Sequence, residues 1–495
     1  MSVLVEIGVV AAYMVVALAV GVVAYRATDR TAEDYYLAGR GLGTGVLLFT
    51  TFATLLSAFT FFAGPNIAYA TGPEWILVMG LMDGVLFGLL WYLLGYRQWL
   101  LGNEHGYVTL GEMLGDRFGS RTLRGLVAAV SIFWLFPYVM LQQIGAGEAL
   151  AGLTNGAVPY WAGAGFITLF MILYVALSGM RGVAWTDTLQ GVFMLGVTWV
   201  AFLWIAAEIS GTTGGLSGAL TAEFRALGGG PNTPQWMLSQ AIGIAFGVTM
   251  FPQVNQRFFV AKSERVLKRT FAVWPLLVVL LFVPAFLMGA WAQGVGIALP
   301  QGENIVPVLL NEYTPGWFAA LVVAGALAAM MSSSDSMLLS GSSYFTRDLY
   351  RPFVNADASD RREDFLGRVG VAAFAIAAFV GSLFRPGSLL EVGETAFGGF
   401  AQLAPPVAVA LYWRHTTKSG MLAGVAGSQA FYLATTFGPT LSVAGVPILA
   451  STYFGWFNQI VGLVLGLALT VGVSAVTAPA TSENREAYFD PSRAD

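Results

Sequence analysis

The sequence contains no cysteine and only two histidines, His105 and His415. The first absence excludes disulfides, thiolate nucleophiles and cysteine-ligated metal centres. The second leaves little for imidazole chemistry, because both histidines fall outside the apolar runs in which an internal site would lie. Charge is also scarce: 11% of residues are Asp, Glu, Lys or Arg, against 56% that are hydrophobic. No hydrophilic stretch is long enough for a soluble domain, and the largest expected outer loop, 210–235, is rich in Gly and Pro. The N-terminus, MSVLVEIG, lacks the basic region of a secretory signal, so its apolar run reads as a retained first span. Catalysis with an organic cofactor has little to stand on, and no nucleic-acid partner is expected.

What the chain does contain is lipid-compatible surface. A mean hydropathy of +0.69 over 495 residues cannot be hidden inside a water-facing globule. Apolar stretches of about 20 residues or more recur along the chain, each long enough to cross a hydrocarbon core of roughly 30 Å as a helix. Barrel strands would alternate apolar and polar residues, whereas these runs are continuously apolar and rich in Gly, Ala, Leu and Val. The expected fold is therefore an all-α membrane protein. Thirteen spans are expected, at 2–26, 43–72, 74–100, 121–152, 158–178, 183–210, 236–261, 270–294, 316–346, 366–384, 388–413, 419–437 and 452–477.

Charge sorting supplies an orientation. With the N-terminus outside, 22 of the 24 Lys and Arg residues fall on the inner side, among them Arg257, counted with the loop that holds Lys262 and Arg265. Only Arg225 and Arg385 remain outside. The positive-inside rule then places the protein in a plasma (inner) membrane as a multi-pass chain with a cytoplasmic C-terminus. The tail after Ala478 is polar and expected to be disordered.

Two expected spans carry helix breakers. Gly64 and Pro65 interrupt the second, and Gly247 with Pro252 interrupts the seventh. Proline removes a backbone donor, and in lipid the freed groups are tolerated only where protein, water or a solute satisfies them. Either proline alone is compatible with a simple kink. As a matched pair in two halves of the chain, they point to a transporter binding site.

The ninth span holds a dense oxygen array, from Ser332 through Ser333, Ser334 and Asp335 to Ser336. Ser332, Asp335 and Ser336 share one helix face, so hydroxyls and a carboxylate converge. Such oxygens suit a hard cation such as sodium. Single serines also back-bond to their own helix, but a carboxylate inside the membrane costs at least about 2.5 kcal/mol and calls for a function. Asp187, at the start of the sixth span, is open to two readings: helix capping, or a carboxylate lining the inner ion exit.

Three motifs now carry a resemblance: Asp34 to Arg40 (DYYLAGR), Gly179 to Gln190 (GMRGVAWTDTLQ), and Ala329 to Tyr350, which ends Thr346-Arg347-Asp348-Leu349-Tyr350. In this order they resemble the sodium:solute symporter family, along most of the chain. The resemblance implies a LeuT-type core of two inverted five-helix repeats. Residues 1–42 would be a flanking helix and inner loop, 43–210 the first repeat, 211–413 the second, 414–478 two further flanking helices, and 479–495 the tail. It implies sodium as coupling ion and a small organic solute as passenger. Matched to the family's motifs, the main sodium ligands are the carbonyls of Ala53, Leu56 and Ala329 and the hydroxyls of Ser332 and Ser333. A second sodium site of some members maps to Asp187, Asp335 and Ser336.

Substrate identity is read from departures. Leu55 stands where proline transporters usually carry Asp, and Ile244 and Val248 stand where they carry aromatics. Phe136 to Gly147 and Gln402 to Pro406 look like the pantothenate and monocarboxylate branches. A small carboxylate is the favoured solute, with Ser57, Tyr138, Gln142, Gln253 and Gln402 as candidate contacts. An amino acid or sugar symporter, a membrane solute sensor, and proton coupling through Asp335 are the alternatives.

Overall fold

The computed structural model describes residues 3–26, 36–213, 232–299, 303–443, 446–478 and 488–489. Asp34 and Tyr35 of the first motif, most of the 210–235 loop and most of the tail lie outside these residues. In chain order the helices are α1 (Val3–Arg26), α2 (Thr44–Leu55), α3 (Phe59–Thr71), α4 (Ile76–His105), α5 (Leu110–Arg117), α6 (Arg121–Leu153) and α7 (Tyr160–Thr213). They continue with α8 (Pro234–Thr249), α9 (Pro252–Phe259), α10 (Glu264–Gly294), α11 (Ile305–Tyr313), α12 (Gly316–Phe353), α13 (Asp360–Leu383), α14 (Leu389–Ala401), α15 (Ala404–Tyr412), α16 (Lys418–Phe437) and α17 (Asn458–Val476).

Among the described residues, eight helices are long and apolar enough to cross a membrane, or ten when each of two bent pairs is taken as one span. The other expected spans correspond to the shorter apolar stretch Tyr160–Val175, to α14 with α15, and to α16. α7 contains two expected spans, because Gly179 at φ +58° turns the chain between them. The expected span 388–413 is interrupted at Gln402 and Leu403, before a Pro-Pro pair opens α15. The start of 452–477 is not helical. Two small antiparallel hairpins, Leu441–Val443 with Val446–Leu449 and Thr452–Tyr453 with Trp456–Phe457, precede α17. α5 and α11 lie in loops that had no assigned structure.

The bent pairs are α2/α3, at 64°, and α8/α9, at 55°. The second break falls where the sequence put it. α8 ends at Thr249, Phe251 is extended, and Pro252 opens α9, where its missing N–H costs nothing. Asn255 Nδ2 donates to the freed carbonyl of Thr249 (3.1 Å) and to that of Phe251 (2.8 Å), which also accepts from the first turn of α9. Gly247 is needed for a different reason, since a Cβ there would run into the Phe397 carbonyl of α14.

The first break corrects the sequence reading. It lies at Leu56 and Ser57, not at Gly64 and Pro65: Leu56 adopts φ −78°, ψ 128°. No proline or glycine makes it. Side chains satisfy the loosened backbone: Gln142 Oε1 of α6 accepts from Ala58 N at 2.9 Å, and Ser57 Oγ, at the break itself, accepts from Phe59 N at 3.2 Å. A π turn, Phe59–Ala63, then absorbs Pro65 without a bend in the chain. Gly64 packs against the Phe286 ring, and the Pro65 carbonyl approaches Gly289, so these two residues serve the contact with α10. On one side of the molecule the segments before α2 and after α9 pair, with Leu42 N donating to Val260 O and Lys262 N to Leu42 O.

Candidate functional site

α12 runs beside α2, α6 and α7, and its serine array faces the Leu56 break. Ser333 Oγ donates to Leu56 O and to Thr54 O, the latter at 2.8 Å. The adjacent Ala53 carbonyl accepts from Leu56 N at 3.2 Å. Ala53, Leu56, Ala329, Ser332 and Ser333 are all buried. The helix break thus presents carbonyl oxygens to a hydroxyl close enough for both to share one small cation. The donor set is neutral, hard oxygen, which suits a monovalent ion.

Ser332 Oγ turns to the next cluster and donates to Asp187 Oδ1 at 2.5 Å. Asp187 Oδ2 accepts from Thr50 (2.6 Å), Thr54 (3.3 Å) and Arg257 Nη2 (3.1 Å). These contacts reach α2, α9 and α12, so Asp187 ties helices together and caps none. Arg257 also donates to Ser336 Oγ at 2.6 Å and to Thr50 Oγ1 at 3.2 Å. Thr54 and Ser336 share a further bond of 2.9 Å. Of the three residues paired in the sequence as a second cation set, Asp187 and Ser336 are therefore joined through a guanidinium. Asp335 stands apart: it is buried, and its Oδ1 has no hydrogen-bond partner.

Arg257 is the largest correction at residue level. The charge count placed it in an inner loop, yet its side chain is 1% exposed and paired with a carboxylate as buried as itself. The signal was its position inside the expected span 236–261. Thr50 and Thr54 were overlooked too. Their i, i+4 spacing on α2 puts both hydroxyls on one face, and that pattern was available.

On the other side of the break, Ser57 Oγ and Tyr138 OH lie 3.1 Å apart, and Gln142 Nε2 donates to Tyr138 O at 3.1 Å. Aromatic rings enclose this group. Tyr138 lies 5.0 Å from Phe251 and 5.3 Å from Phe397, and Phe59 is 5.1 Å from Phe397. Gln253, on the first turn of α9, is fully buried with neither amide atom hydrogen-bonded. Burying an amide without partners is costly, which marks Gln253 as a residue awaiting one. Gln402 is not part of this group. Its Nε2 donates to Gly398 O (2.9 Å) and Gln459 O (3.3 Å), towards α17.

Residues 35–427 match the sodium:solute symporter family. The chain belongs to that family. As a member of it, the chain is a sodium-coupled transporter and not an enzyme. The symporter is 29% identical over 425 residues to the high-affinity proline transporter of Bacillus subtilis, covering 82% of this chain and 87% of that one. It is 28% identical over 427 residues to the sodium/pantothenate symporter of Escherichia coli, covering 84% and 87%. In structure the symporter resembles a Na+-coupled sialic acid symporter, with a TM-score of 0.78 at 21% identity over 96% of this chain and 99% of the other. That likeness shows a LeuT-type fold. The two sequence relatives carry different solutes at nearly equal identity, so relatedness does not name the passenger.

Proposed function

We propose that the symporter imports a small organic carboxylate together with one sodium ion, the ion held at the Leu56 break. Sodium is a co-substrate in this reading, with the carbonyls of Ala53, Leu56 and Ala329 and the hydroxyls of Ser332 and Ser333 as ligands. The observation that carries this reading is the Ser333 hydroxyl seated on the Leu56 carbonyl at a break that no proline makes. The solute sits beside the same break, against Ser57, Tyr138, Gln142 and Gln253, with Phe251 and Phe397 as walls. Because both sit at one helix break, ion and solute favour the same conformation, and each raises the affinity for the other.

The set formed by Asp187 and Ser336 takes no second sodium. Arg257 already brings a positive charge to those oxygens, at 3.1 and 2.6 Å. One sodium with one anionic carboxylate is electroneutral. A tenfold sodium gradient, about 1.4 kcal/mol, then supports about tenfold accumulation. A neutral solute would add the voltage term of about 2.3 kcal/mol per 100 mV and reach roughly 500-fold.

The N-terminus is outside and the C-terminus cytoplasmic, a reading supported by the charge sorting, with Arg257 moved from the loop to the interior. The two repeats, 43–210 and 211–413, are supported by the matched bends at 64° and 55°. A proton-coupled reading has one observation in its favour, the unpartnered Asp335 Oδ1. Uptake driven by a pH gradient without sodium, and lost in Asp335→Asn, identifies it.

The test is a thermal-shift screen of the purified protein against carboxylates, amino acids, pantothenate and sugars, in sodium and in choline. A carboxylate that stabilises the protein only in sodium is the expected result. A solute that stabilises equally in both salts contradicts the coupling.

A further inference from the structure

The polar tail was expected to be disordered, yet two of its residues are docked. Tyr488 is 4% exposed, and Phe489 packs against the same core. The Tyr488 ring stacks on His105 at 5.4 Å with an interplanar angle of 15°. Its hydroxyl donates to Met113 O at 2.8 Å, lies 2.5 Å from Tyr107 OH and 3.5 Å from Asp116 Oδ2. Phe489 lies under three guanidinium groups: Arg117 at 4.9 Å, Arg414 at 5.5 Å and Arg97 at 5.9 Å. Arg117 is itself fixed, donating to Trp413 O at 3.1 Å. The pair therefore sits in a formed socket with contributions from the end of α4, from α5 and from the turn after α15.

That socket is wired to α9 and α12, the helices that carry the proposed solute and ion residues. Tyr107 O accepts from Arg40 Nη2 at 2.9 Å, and Arg40 Nη1 donates to Phe259 O, the last residue of α9, at 3.3 Å. On α5, Glu112 accepts from Arg124 and Arg347, each at 3.0 Å. Arg124 also pairs with Asp348 at 2.7 Å, near the end of α12. α9 carries Arg257 and Gln253, and α12 carries the serine array. Both meet the socket within two side chains.

We propose that Tyr488 and Phe489 are an intramolecular latch, in which the C-terminal aromatic pair occupies a socket of its own chain and holds the inner exit closed. A segment that touches α4, α5 and the turn after α15 at once binds their closed arrangement more tightly than an open one. Differential affinity of that kind is what shifts a conformational equilibrium. The cation–π contacts, ring stacking and hydroxyl bonds are individually small and act together only while the three elements are adjacent. None of the latch contacts involves a proposed ion or solute residue, so it sets how readily the exit opens and not what is bound. It rests on the cytoplasmic placement of the C-terminus.

The absence of cysteine supplies a clean reporter. Ser343 is fully buried on α12, bonded to Gln256 of α9 at 2.8 Å, and becomes accessible only when these helices part. Ser343→Cys gives a single thiol, labelled in inverted vesicles by a membrane-impermeant maleimide. With Tyr488→Ala and Phe489→Ala added, labelling is expected to accelerate about tenfold. Tyr488→Phe keeps the ring, loses the hydroxyl bonds and is expected to give about threefold. Labelling at the parental rate in both backgrounds overturns the latch. Acceleration seen only with reagent on the opposite face overturns the orientation instead.

Discussion

Arg257 and Asp187 form a buried ion pair whose partners cannot be removed singly without leaving a charge inside the membrane. Breaking such a pair costs about 3–5 kcal/mol, whereas replacing both members is often tolerated. Asp187→Asn is therefore expected to lower the melting temperature in detergent and to abolish uptake. The double change Asp187→Asn with Arg257→Gln should regain most of the stability. If Asp187→Asn retains parental stability and sodium affinity, the pair has no structural role. The identity of Arg257 as an interior residue was available from its position in an apolar span. Its partner was not, because 70 residues separate it from Asp187 and only the folded chain brings α7, α9 and α12 to one point. Gln402 stands apart from the other candidate contacts for a related reason: sequence shows an amide beside a Pro-Pro pair but not which neighbour it faces, and its Nε2 turns to Gly398 O and Gln459 O.

The two broken spans were legible as broken, and the second was legible in position, since Pro252 opens α9. The first was not, because no proline or glycine makes it: Gln142, 84 residues on, satisfies Ala58 N, and Ser57 turns its own hydroxyl onto Phe59 N. Pro65→Ala is accordingly expected to leave uptake near the parental level, measured in proteoliposomes. Gln142→Leu strips the acceptor from the buried Ala58 N–H, a loss of about 1–3 kcal/mol, and should weaken solute and sodium affinity together. Were Pro65→Ala inactive and Gln142→Leu normal, the break would belong to the proline after all. Gly247→Val forces a side chain into the Phe397 carbonyl and is expected to disrupt the α8 and α14 crossing, read as loss of folded protein by size-exclusion chromatography.

For the molecule as a whole, composition and periodicity were enough for a multi-pass helical protein, and three motifs were enough for its family. Hydropathy could not locate α5 and α11, which are short and not membrane-spanning, nor the hairpins that precede α17. Nor could it show that Tyr488 and Phe489 dock, because an aromatic pair in a polar tail gives no periodic signal. What unites the molecule is a junction in which a helix break, a serine array and the proposed solute contacts meet. Sodium coupling follows if the ion completes that junction. The most direct test is uptake of the identified solute into proteoliposomes under an imposed sodium gradient, comparing the parent with the Ser332→Ala, Ser333→Ala double variant. The account predicts sodium-driven accumulation in the parent and no response to sodium in the variant. Sodium-driven accumulation of equal size in both would contradict it.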